Sequence, residues 1–149
     1  MGEKIEVYRQ INQSQEKLTY YIIALCVTAI GFSIIQSNDL TLTCYLIPLG
    51  IAVLSWSISV FYGIKSLKNR TNLQFENYEL LRVEEGSHEV LDGNIQLIKP
   101  ASKILNDNIS SIQRKASFHT AIQHVLFYFG ITAYLFWHIL KMYHNTITS

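Results

Sequence analysis

Three stretches of the chain carry no Asp, Glu, Lys or Arg: Leu18 to Asn38, Leu40 to Ile64 and Ala116 to Leu140, of 21, 25 and 25 residues. A helix needs roughly 20 apolar residues to cross a hydrocarbon core about 30 Å thick, so each stretch predicts one membrane crossing. Outside them a second pattern runs at helical spacing. Ile64, Leu67, Thr71, Phe75, Tyr78 and Leu81 recur at intervals of three and four, which carries the second helix on to about Glu85. Ile98, Ser102, Leu105, Ile109, Ile112 and Ala116 lead into the third span in the same way, and Ile5, Tyr8, Ile11 and Leu18 give the N-terminus a weaker version. Between the two longer rows, Gly86, Asp92-Gly93 and Lys99-Pro100 punctuate the chain, with Pro100 suited to the first turn of a helix. Val90-Leu91 and Ile95-Gln96-Leu97 flank the Asp-Gly turn signal as the arms of a very short hairpin would. Pro48 followed by Gly50 predicts a bend in the outer half of the second span.

The expected fold is all-α: three transmembrane helices with long cytoplasmic helical extensions, assembled as a homo-oligomeric bundle. Its segments are a cytoplasmic N-terminal helix (1–17), a first span (18–36), a second span (40–64), a cytoplasmic helical hairpin (65–117), a third span (118–142) and an external tail (143–149). The inner segment is too short to bury a stable core without support from the membrane bundle or from other subunits, which leaves no room for a separate catalytic domain.

Composition alone does not assign a class, since 49% hydrophobic residues is near the level of soluble proteins. The placement of the 12 basic and 11 acidic side chains does, because all of them fall outside the three stretches. That pattern excludes a soluble enzyme, a secreted disulfide scaffold and a free nucleic-acid-binding domain. A net charge of +1 gives no field to hold a polyanion, so no direct nucleic-acid binding is expected. Eight basic residues (Lys65, Lys68, Arg70, Arg82, Lys99, Lys103, Arg114 and Lys115) lie between the second and third spans, against none in the turn around Ser37 to Asp39. Basic residues concentrate on the cytoplasmic side, so the N-terminus is expected inside and the C-terminus outside. The acids preceding the first span fit a cleaved signal poorly, and that span reads as permanent. Cys26 and Cys44, one in each of the first two spans, read as small packing residues.

Chemistry-bearing residues are few. The histidine spacing offers no metal site, no phosphate loop or nucleophile elbow is present, and no cofactor is expected. In the second span Ser55, Ser59 and Gly63 form a small-xxx-small row that lets helices approach closely. Packing within one chain is the plainer account of that row, and contact between copies is the alternative. In the third span Ser117, Thr120, His124, Tyr128 and Thr132 share an arc of about 120°, with Gln123 beside His124. Polar groups facing lipid would stay unpaired, so this arc should face protein or water. An interhelical hydrogen-bond seam is its structural reading, and Thr120, His124, Tyr128 and Thr132 are pore-lining candidates in the functional one. His119 and His138, near opposite interfaces, read as ordinary polar anchors.

Arg82 and His88 stand in an R-x5-H spacing and Arg114 and His119 in an R-x4-H spacing. Both resemble the R-x4-6-H signature of HEPN ribonucleases, in which Arg and His from paired helical domains meet at a composite site. Neither match has the polar residue that usually follows the arginine. Together with the membrane architecture, the chain resembles the small membrane accessory proteins of type VI-B CRISPR loci. That resemblance implies a divergent HEPN-like, oligomeric pore in a bacterial inner membrane, working in antiviral defence beside a cytoplasmic RNA-guided nuclease, and not itself an enzyme. A non-conducting membrane-anchored scaffold and a membrane-bound HEPN-like ribonuclease are the alternatives.

Overall fold

The computed structural model describes residues 2–38, 46–88 and 94–148. Nearly all of them belong to three helices, α1 (Gly2–Ser37), α2 (Ile47–Glu84) and α3 (Ile98–Thr148), the last entered through a 3-10 turn at Ile95–Leu97. There is no strand among the described residues. Each of the three helices contains a segment long and apolar enough to cross a membrane. The extensions are not separate elements: the expected N-terminal helix and first span form one helix of 36 residues. With 51 residues, α3 is more than twice as long as the roughly 20 residues that a hydrocarbon core takes.

The helix ends follow local chemistry. Because α2 begins at Ile47, Pro48 falls in its first turn, where a missing N–H costs no intrahelical bond. The bend expected at Pro48 and Gly50 is therefore not required, and the rest of the expected second span, 40–45, lies outside the described residues together with Cys44. At its other end α2 stops where Gly86 adopts a left-handed backbone, φ +73. The Gly86 amide donates to Val83 O (3.0 Å) and the Ser87 amide to Arg82 O (2.9 Å), the paired bonds of a Schellman cap. The short hairpin expected around Asp92-Gly93 is corrected on its second arm. Ile95–Leu97 is a helical turn because the Asn94 side chain accepts from the Gln96 amide (3.0 Å) and nucleates it. Val90 to Gly93 lie outside the described residues.

The chain divides into two compact units, Met1–Ile64 with Thr120–Ser149, and Lys65–His119. In the first, α1 and α2 run antiparallel, with Ile23 against Gly63 and Cys26 against Ser59. Thr19 meets Gln123 and Gln36 meets Tyr134, so α3 runs parallel to α1. Ile22, Cys26, Ala52 and Trp56 are buried together, and Ile30, Val60, Phe127 and Ile131 pack on them. Two glycines permit the contacts. A Cβ at Gly130 would fall on the Trp56 indole, and one at Gly63 would lie 2.9 Å from both Gln123 Cδ and Ile23 Cγ1. No more than a third of each apolar window is buried inside the chain, so the remaining surface needs an apolar surrounding.

In the second unit, α2 and α3 meet through Ser66, which is fully buried and donates to Ala116 O (3.3 Å). The α3 row packs as its periodicity suggests, with Leu105, Ile109 and Ile112 half-buried and Ala116 buried. The α2 row does not. Ser66, Arg70 and Val83 are its buried residues, while Phe75, Tyr78 and Leu81 are exposed.

Candidate functional site

Polar groups inside the bundle converge on Gln123, the immediate neighbour of the expected row. Its side chain is fully buried, and its Nε2 donates to the Thr19 carbonyl of α1 (3.3 Å). Its own backbone carbonyl accepts the Ser59 hydroxyl of α2 (2.9 Å), and Ser59 in turn accepts from Cys26 Sγ (3.7 Å). One residue, through its side chain and its backbone carbonyl, thus ties three helices, which suits a medium where apolar contact alone supplies no drive to associate. Gln123 Oε1 remains buried without a hydrogen-bond partner. Gly63 sits against this amide, and Ser55 and Ser59 are also buried. The Ser55, Ser59, Gly63 row therefore packs within the chain, which corrects its use as a contact between copies.

The neighbouring residue His124 points a quarter-turn away and is half-buried. Its Nδ1 lies 2.8 Å from the Thr120 carbonyl one turn earlier. A carbonyl only accepts, so Nδ1 carries the proton in this contact, and Nε2 finds no partner among the described residues. Further along the same side, Tyr128 is 63% exposed, and the exposed Thr132 hydroxyl donates to Tyr128 O (3.0 Å). Thr120 is half-buried. The four candidates thus remain on one side of α3, linked in two pairs by bonds within the helix, and the outer two stand on the surface of the chain.

The two Arg/His pairs are placed apart. Glu79 Oε2 lies 2.9 Å from His88 Nε2 and 3.7 Å from Arg82, whose guanidinium also stacks 5.9 Å over the Tyr78 ring. The Gly86 cap folds His88 back to reach that carboxylate. At the second pair, the Asn69 amide donates to His119 Nδ1 (3.1 Å), which places the neutral ring's proton on Nε2, while Arg114 is exposed. His119 is thus held by α2 through Asn69. Asn69 and Arg82 lie thirteen residues apart on α2, about 20 Å, so one chain does not bring the pairs into a single site.

Periodicity missed Gln123 because successive helical residues differ by only 100°, and either neighbour of a polar pair can face inward. The small residues Gly63 and Ser59 were the signal that could have found it, since a close approach on α2 leaves room for a bulky amide opposite. Comparison with known proteins finds no matching family model, no matching curated protein and no matching solved structure.

Proposed function

We propose that this chain is a homo-oligomeric membrane protein whose copies surround a polar path lined by Thr120, His124, Tyr128 and Thr132. The observation that carries this reading is His124. Its Nε2 has no partner among the described residues, yet the ring lies eight residues inside a 25-residue charge-free segment. Leaving such a group in hydrocarbon costs several kcal/mol in an apolar medium, roughly 2–7 by transfer from water. Water or another copy removes that cost. Three helices tied at Gln123 leave no channel among themselves, so a water path requires several copies around an axis. Permeabilisation of a bacterial inner membrane in antiviral defence, with an RNA-guided nuclease as cytoplasmic partner, rests on the resemblance of Arg82/His88 and Arg114/His119 and on the membrane architecture.

Reconstitution in liposomes tests the reading. Ion or dye leakage from wild-type vesicles, altered by His124→Leu in a folded oligomer, is the expected result. Thr132 favours the second reading, a non-conducting anchored scaffold, because its hydroxyl is satisfied by its own helix and demands no water. Tight vesicles from an oligomeric protein, with or without the partner, would decide for the scaffold.

A further inference from the structure

We propose that Lys65, Lys68 and Lys115 bind the phosphate of an anionic phospholipid at the edge of the bilayer. The inference rests on the membrane-spanning reading of α2 and α3, and not on the oligomer or on a path through it.

The contact between Ser66 and Ala116 sets the site, because it brings together the two places where charge resumes. Ile64 closes the second charge-free stretch and Ala116 opens the third, so Lys65 and Lys115 are the first charges beyond them. The Ser66 hydroxyl donates to Ala116 O (3.3 Å), which holds those two boundaries level. Facing follows from a turn of about 100° per residue. Measured from Ser66, Asn69 lies about 60°, Lys65 about 100° and Lys68 about 160° round one side of α2. Measured from Ala116, His119 lies about 60° and Lys115 about 100° round one side of α3. Asn69 donates to His119 Nδ1 (3.1 Å), so these two sides form one face of the helix pair. All three lysines on it are exposed.

Acids on the two helices stand well away from this face. The nearest are Glu76, eight residues beyond Lys68, and Asp107, eight residues before Lys115, each about 12 Å off along its helix. Charges in water are screened beyond about 8 Å at physiological ionic strength, so neither acid offsets the lysines. A chain whose net charge is only +1 thus gathers three cations where its helices leave the charge-free stretches.

What lies on the apolar side selects a lipid over a soluble polyanion. Phe118, about 160° round the same side of α3 and three residues further into the charge-free stretch than Lys115, is 61% exposed. A phospholipid held by its phosphate lays its acyl chain along that ring, whereas RNA or an acidic peptide would lay a polar surface on it. Lysine stems extend from such a boundary to the headgroup layer, and anionic lipid near each one raises affinity about fivefold.

Native mass spectrometry of the full chain in an uncharged detergent, titrated with phosphatidylglycerol or with phosphatidylcholine of the same acyl chains, tests the site. Wild type is expected to hold phosphatidylglycerol at least about fivefold more tightly. Lys68→Gln with Lys115→Gln, at unchanged helical content, should lower that affinity at least about fivefold and leave phosphatidylcholine binding as it was. Lys68→Arg with Lys115→Arg should keep the preference, and so should Lys99→Gln with Lys103→Gln, which removes the same charge elsewhere on the inner segment. Equal affinity of wild type for the two lipids, or an equal loss in both glutamine pairs, overturns the site and leaves the spans standing. Glycerol phosphate or single-stranded RNA bound through these lysines in place of phosphatidylglycerol also overturns it. A chain that stays in the aqueous fraction without detergent overturns the spanning reading and the site with it.

Discussion

The Gln123 amide fills the space that a side chain at residue 63 would need: a Cβ on Gly63 would lie 2.9 Å from Gln123 Cδ. Neither partner is adjustable, because the amide is fully buried and bonded to Thr19 O. Gly63→Ala should therefore destabilise the bundle by about 1–3 kcal/mol through overpacking. Adding Gln123→Ala vacates the space, and the double variant should be less destabilised than the sum of the two single changes. Thermal unfolding of the four proteins in detergent measures the coupling. Additive losses would show that the two residues do not compete for the same volume.

Gly86 makes a separate, local prediction. Its φ of +73 is strained for an alanine, so Gly86→Ala should cost about 1 kcal/mol, with Gly86→Asn milder. The effect should be confined to the end of α2, seen as faster hydrogen exchange at the Gly86 and Ser87 amides, which bond to Val83 and Arg82. Equal stability and exchange in wild type and Gly86→Ala would contradict the cap.

Purified protein should leave RNA intact. Arg82 and His88 are both engaged by the Glu79 carboxylate, His119 is engaged by Asn69 about 20 Å along the helix, and a net charge of +1 supplies no field to hold RNA. Incubation with single- and double-stranded RNA, followed by gel electrophoresis, checks this. Cleavage abolished by His119→Ala or His88→Ala would revive the ribonuclease reading.

Much of this architecture is legible in the residues, and the misreadings have identifiable causes. Absence of charge locates in each of the three helices a segment long and apolar enough to cross a membrane, since ionised side chains are costly in lipid and rarely fall inside such segments. Helical spacing carries α2 to within a residue of its end at Glu84, because Gly86 stops it by a backbone effect that a sequence displays openly. Facing is harder. The Phe75, Tyr78, Leu81 row is periodic but exposed, whereas polar Ser66 and Arg70 are buried, so periodicity identifies a face without saying what covers it. Pro48 misleads for a different reason: the same residue bends a helix from inside and starts one from its first turn, and only the position of the helix end distinguishes them.

On the membrane-spanning reading proposed above, α3 crosses once between Ser87 and Thr146, which puts these two residues in opposite compartments. Single cysteines at Ser87 and Thr146, in a chain with Cys26 and Cys44 replaced by alanine, can be probed with a membrane-impermeant thiol reagent in intact cells and in inverted vesicles. The account predicts that Thr146→Cys labels only in intact cells and Ser87→Cys only in inverted vesicles. Labelling of both from the same side, or of both in a form that remains in the aqueous fraction, would contradict it.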